Sequence, residues 1–249
     1  MSKYLEEIAH RPWPLPRRSW VMAQSWHDLL FAHWPVPTQL LRGQIPEALA
    51  IDTYNGQAWV GVVPFRMSGV RLRGMPAVPG TSAFPELNVR TYVTAEGKPG
   101  VWFFSLDAAN ALAVAVARRW FHLPYYRARM ACERQGEWIE YASERTHRGA
   151  PAAKLVARYR GVGEAFAPQA GSLEHFLTER CCLYAADLNG RIFRGEIHHA
   201  PWLLRAGEAE LSVNTMTTAA GIGLPPVKPL LHFAKRQDMV AWAPERLRD

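Results

Sequence analysis

Glu86-Leu87-Asn88-Val89-Arg90-Thr91-Tyr92-Val93-Thr94 alternates along an extended chain. Glu86, Asn88, Arg90, Tyr92 and Thr94 fall on one side, and Leu87, Val89, Thr91 and Val93 on the other. One face is mostly apolar; the opposite face begins acid, amide, guanidinium. Alternation alone describes a half-buried strand with a solvated polar face. It equally describes a strand lining a cavity, where a fixed guanidinium could hold a carboxylate through two hydrogen bonds and Glu86 could trade a proton.

Working outward, glycines and prolines at 74, 76, 79, 80 and 85 form a loop that delivers the chain to this strand. Glu96-Gly97-Lys98-Pro99-Gly100 turns it into a partner over 101–105. Asn55-Gly56, between runs over 50–54 and 57–67, predicts a hairpin. Trp20, Ala23, Trp26, Leu30 and Trp34 recur every three or four residues, which predicts a helix over 17–34 ended by Pro35 and Pro37. A polar, proline-punctuated lead-in over 1–16 precedes it. Further helices are expected over 38–41, over 108–121 with Asp107 as N-cap, and from the N-cap Ser172 to about 180. Strands are expected near 125–133, 137–145, 154–160, 182–187, 191–198, 208–215 and 238–242, with 221–229 in neither state. Many short strands and a few helices that do not alternate with them predict an α+β, mainly antiparallel fold built as a sandwich or barrel. No composition break divides the chain, so 1–249 reads as a single domain.

The 249 residues are 49% hydrophobic and 20% charged, which supports a sizeable core. No apolar run reaches the length of a membrane span, and the N-terminus lacks a signal-peptide layout, so a cytoplasmic address is expected. Cys132, Cys181 and Cys182 have no C-x-x-C spacing, which argues against a disulfide framework or a cysteine zinc site. The net charge of +7 raises nucleic acid as a partner, but the arginines are scattered and no recognition motif accompanies them.

Other chemistry-bearing residues are sparse. No G-x-S-x-G elbow, dinucleotide fingerprint or P-loop is present, and no cofactor is implied. On the predicted first helix His27 and His33 are six positions apart, turned from one another by roughly 120°, so they form no metal pair; His27 alone is a pocket candidate. His198 and His199 are adjacent in a strand, so only one faces inward, and Glu196 shares the face of His198. A third ligand is missing from that pair, and no metal is expected. Thr178-Glu179-Arg180 reads as a helix end closing an ion pair.

Several phrases carry a family resemblance: Arg11-Pro12-Trp13-Pro14, Trp26-His27-Asp28-Leu29-Leu30-Phe31, Trp59-Val60-Gly61-Val62-Val63-Pro64-Phe65 and Phe84-Pro85-Glu86-Leu87-Asn88-Val89-Arg90-Thr91-Tyr92-Val93. Leu123-Pro124-Tyr125-Tyr126, Phe176-Leu177-Thr178-Glu179-Arg180 and His198-His199-Ala200-Pro201-Trp202 continue it in order. The sequence resembles the YqjF-like family of bacterial cytosolic proteins, identified as a member of the acetoacetate decarboxylase-like superfamily. The resemblance implies a cone-shaped antiparallel β-barrel with a ligand cavity, and turns the polar face of 86–94 inward. In the decarboxylases a lysine forms a Schiff base with a β-keto acid. The resemblance puts that lysine just after Pro124, where this chain has Tyr125 and Tyr126, and no lysine lies between Lys98 and Lys154. Schiff-base chemistry is therefore not expected.

The resulting expectation is a cavity for a small organic acid or carbonyl compound. Arg90 anchors the anion, Glu86 acts as acid or base, and Asn88, Tyr125 and Tyr126 orient the ligand, with His27 nearby. A non-catalytic ligand-binding or sensor module and a basic nucleic-acid or protein-interaction factor are the alternatives. Whether the chain forms a homo-oligomer is left open.

Overall fold

The computed structural model describes residues 5–78 and 80–247. Pro79 of the glycine- and proline-rich loop and the first four residues of the lead-in lie outside them. In chain order the elements are β1 (Met22–Val36), α1 (Thr38–Arg42), β2 (Ala50–Ile51), β3 (Ala58–Leu72), β4 (Phe84–Ala95), β5 (Lys98–Ala108), α2 (Ala111–Trp120), β6 (Tyr125–Gln135) and β7 (Trp138–Arg145). There follow β8 (Lys154–Phe166), α3 (Leu173–Thr178), β9 (Cys182–Ala186), β10 (Ile192–His199), β11 (Leu204–Asn214), α4 (Met216–Ala219), β12 (Leu230–Ala241) and β13 (Glu245–Arg246). No helix among the described residues is long and apolar enough to cross a membrane.

All strands belong to one mostly antiparallel sheet that closes on itself twice. It forks at β5: Leu106–Ala108 pair in parallel with β6, while Val101 and Trp102 pair in parallel with β9. It forks again at β12, where Phe233 and His232 pair with β11 and 239–241 pair with β10. A larger ring runs through β6, β7, β8 and β11, and a smaller one through β9 and β10. They share a wall of β12, β1, β3, β4 and β5.

The wall explains the burial pattern. Leu30, Ala32, Val60, Val62, Leu87 and Val89 face the larger ring, which is packed solid with Ile139, Leu155, Tyr141 and Tyr159. The alternate residues, Leu29, Phe31, Val63 and Phe65, face the smaller ring. With both faces covered, these strands read as continuous apolar runs.

That double burial overturns the helix expected over 17–34. Residues 29–34 are all buried, so Leu30 and Trp34 lie on one face of a 15-residue strand while Leu29, Phe31 and His33 fill the other. Asp28, at φ 54°, inserts the irregularity that shifts the β1–β3 register. Tyr159 Oη donates to its carbonyl at 2.8 Å, and Arg66 and Arg134 hold its carboxylate.

Two other expectations change. Asn55 (φ 50°) and Gly56 (φ 78°) do form a tight turn, with Tyr54 bridged to Gln57. The strand before it, however, pairs Ala50 with Thr94 and Ile51 with Val93 of β4 instead of with β3. Asp107 does not cap a helix: it ends β5, fully buried, in a two-point ion pair with Arg145 (2.8 and 2.7 Å). Asn110 caps α2 instead, its Oδ1 accepting from Ala113 N at 3.0 Å. A carboxylate with no solvent gains more from a guanidinium fork than from one backbone N–H. Ser172 caps α3 as expected.

Arg145→Met leaves Asp107 buried without its partner, so it should lose about 3–5 kcal/mol of unfolding free energy in urea. Adding Asp107→Leu should restore most of that loss, because the pair is then removed as a unit.

Candidate functional site

The smaller ring encloses a cavity of ≈ 200 Å³. Its lining is largely apolar, with Phe31, Phe65, Met67 and Phe84 among the wall residues; Ala113, Val116 and Ala117 of α2 also line it. Glu86, Asn88 and Arg90 project into it from β4, and Tyr125 from the start of β6. Glu86, Asn88 and Arg90 of the 86–94 alternation therefore face a cavity.

Glu86 is 3% exposed and accepts a hydrogen bond from Tyr125 Oη at 2.7 Å. Burial pushes its carboxyl from 4.5 up to about 8; the Tyr125 hydrogen bond pulls against that rise and the nearby Asp107 adds to it. Glu86 is thus protonated at neutral pH. Tyr125 itself is held well above 10 by burial and by the neighbouring Glu86. Beside them Asn88 Oδ1 is buried with no hydrogen-bond partner.

Arg90 is anchored but not neutralised. Its Nη2 donates to Leu177 O at 3.2 Å and its guanidinium lies 5.2 Å from the Phe31 ring centre. Its Nε is buried without a partner, and no carboxylate among the described residues pairs with it. Behind it, Tyr92 Oη donates to Leu177 O at 2.7 Å, so the 2.6 Å contact to His33 Nε2 requires the histidine to be the donor. Burial lowers His33 well below 6.5, which keeps this tautomer neutral. Gly61 makes room for that ring: a Cβ there would lie 2.8 Å from His33 Nε2.

Two expected residues fall elsewhere. Tyr126, next to Tyr125 in a strand, points the opposite way, 4.1 Å below the Arg145 guanidinium and edge-on to His147. His27 lies outside the cavity lining and pairs its Nε2 with Ser68 Oγ at 2.7 Å. Its position was inferred from a helix that is a strand.

Other cavity residues escaped the sequence reading. Arg180 lines the cavity, pairs through Nη1 with Asp52 at 2.6 Å, and keeps Nη2 buried and unpartnered. The ion pair expected at this helix end is present; its cavity role had no local signal. Glu196 is gripped by Arg11 (3.0 Å), Trp13 Nε1 (2.7 Å) and Lys98 (2.6 Å). The lead-in therefore packs against the smaller ring, with Arg11 and Trp13 holding Glu196, which lines the cavity. No lysine lines the cavity among the described residues. The cysteines are unpaired, and burial pushes Cys132 and Cys181 up to about 11 and Cys182 to about 12.

Comparison with known proteins fits this architecture. The DUF2071 family, described as an uncharacterized conserved protein, matches residues 23–238. The Uncharacterized protein YqjF of Bacillus subtilis (strain 168) is 50% identical over 228 residues, covering 92% of this chain and 93% of that relative. Among solved structures, the enduracididine biosynthesis enzyme MppR complexed with pyruvate superposes with a TM-score of 0.65 at 13% identity, over 97% of this chain and 94% of that one. The acetoacetate decarboxylase of Legionella pneumophila subsp. pneumophila str. Philadelphia 1 gives 0.61 at 14% identity, over 96% and 93%. At such identities the likeness concerns the fold. By the family match and its kinship to YqjF, the chain belongs to the DUF2071 family and carries an acetoacetate decarboxylase-like fold.

Proposed function

We propose that the cavity binds a small organic acid or carbonyl compound with an apolar body, its anionic end on Arg90. The observation that carries this reading is a cavity-lining guanidinium with no carboxylate partner and a buried, unpartnered Nε. A buried polar atom without a partner costs free energy that a ligand oxygen would recover. Asn88 Oδ1 presents a second such atom, suited to a donor on the ligand. The apolar lining favours an aliphatic or aromatic body over a sugar or a nucleotide.

Glu86 stands where a bound carbonyl or enol oxygen could receive its proton, with Tyr125 holding the carboxyl in place. A carboxyl poised near 8 can act as a general acid at neutral pH. A Schiff base is not part of the proposal, because the lining offers no amine. That same lack favours the second reading, a binding or sensor module without turnover. A solved protein of the same fold is described as complexed with pyruvate, which supports a carboxylate as the recognised group.

Thermal melts with pyruvate, acetoacetate and longer or aromatic monocarboxylates test the reading. At least one should raise Tm of the native chain, and Arg90→Met should weaken its binding about 10- to 100-fold, the worth of a charge-assisted hydrogen bond of about 1.5–3 kcal/mol. No shift with any acid, or an equal shift in Arg90→Met, would sink the proposal. Product formation from any keto acid would exclude the sensor reading.

Glu86 supplies a pH signature with a definite sign. The folded chain keeps its proton up to about 8, whereas the unfolded chain releases it near 4.5. This group's contribution to stability is present in full below 4.5 and declines as pH rises through the interval, by up to about 1.4 kcal/mol per pH unit. Above pH 8 the new carboxylate also repels an anion on Arg90. Urea unfolding and ligand titration from pH 5 to 9 should show both declines in the native chain and neither in Glu86→Gln.

A further inference from the structure

Where His199 lines the ligand cavity, three side chains from distant parts of the sequence meet: His10 of the lead-in, Glu179 just after α3, and His199 at the end of β10. One donor atom from each lies within 4.8 Å of the other two. Each carboxylate or imidazole has a group that its surroundings do not use well. His10 holds both ring nitrogens buried without a hydrogen bond. Glu179 Oε1 is fixed by Trp202 N at 2.8 Å, while Oε2 is buried and unpartnered. His199 is 2% exposed, with Nδ1 2.8 Å from Ala200 O and Nε2 3.3 Å from Arg180 O.

The His199 geometry is informative. Both its nitrogens approach carbonyl oxygens, which accept and never donate, yet a neutral imidazole carries only one N–H. The shorter contact takes the proton: Nδ1–H donates to Ala200 O. Nε2 is then left with a lone pair, 3.3 Å from Arg180 O, while Gln237 Nε2 lies 3.5 Å from Nδ1. A backbone carbonyl orienting one nitrogen so that the other can ligate is the usual second layer of a metal-bound histidine.

We propose that His10, Glu179 and His199 form a binding site for a divalent first-row transition ion, with Zn²⁺ as its representative. Two imidazoles and one carboxylate are a recurrent ligand set for such ions, and three protein ligands leave a further position open to water or a ligand oxygen. Ligand distances of about 2.0–2.2 Å require the donors to draw together. His10, half-buried on the terminal segment and stacked on His198 at 5.6 Å, is the least constrained of the three. The ion would bind the lead-in to β10, beside the Arg11–Glu196 pair.

The test uses the full chain stripped of metal and titrated with Zn²⁺ against a chromogenic chelator. One equivalent should bind, and His10→Ala and Glu179→Gln should each weaken binding by at least about tenfold, with circular dichroism unchanged. Co²⁺ in the same site should give a nitrogen–oxygen spectrum without a thiolate charge-transfer band. No stoichiometric binding, equal affinity in His10→Ala, or a thiolate band implicating Cys181 or Cys182 would each overturn the site. Should Glu179→Gln fail to fold, His10→Ala decides alone.

Discussion

One wall of strands is shared by two interiors. β12, β1, β3, β4 and β5 serve two closed rings, so along their central stretches both faces are covered and each residue suits one interior or the other, while Lys235 and Arg236 of β12 stay exposed. On the larger-ring side the wall is apolar and close-packed, with Leu87 and Val89 at 0% exposure. On the other side the packing stops short, and the gap is where polar groups are admitted. The cavity is the part of the second ring that the wall's side chains leave unfilled. The rest follows from the same closure: β5 and β12 must fork, and at the Asp28 irregularity β1 shifts register against β3 while keeping it against β12.

Buried polar groups in and beside that gap are handled in two ways. Glu86, in the cavity, stays uncharged, because burial outweighs the single hydrogen bond from Tyr125. Asp107, outside the cavity lining, keeps a partner instead, gripped at two points by Arg145. Arg90 has neither option, since a guanidinium does not lose its proton in proteins. It rests on a carbonyl and an aromatic ring. The tyrosine at the position where the resemblance implies lysine fits this arrangement: Tyr125 donates a hydrogen bond to the acid and offers no amine to a carbonyl.

How much of this could be read in the sequence depends on solvent contrast. The 86–94 alternation survived because acid, amide and guanidinium mark one face even when both are buried. β1 was lost because its Leu29–Trp34 run shows no polar contrast, and chance spacing of tryptophans imitated a helix. The Asn55-Gly56 turn was found from its local chemistry, but which strand Ala50 and Ile51 would join depended on the distant edge of β4. The same limit hid Arg180 as a cavity residue. Nothing near it in sequence announces a cavity; closure of the second ring brings it there. Tyr126 and His27 were misplaced for simpler reasons, one by strand alternation and the other by the mistaken helix.

With Glu86 neutral, Arg90, which has no carboxylate partner among the described residues, leaves a positive charge on the cavity wall that neither of them balances. An incoming monoanion would bring the Glu86–Arg90 pair to zero net charge, with no rearrangement of the ion pairs around it. A neutral ligand would leave the guanidinium unbalanced, and a dianion would overshoot. Electroneutrality, more than shape, would then act as the filter on what the cavity retains, and it would sort acids by valence before the apolar lining sorts them by size.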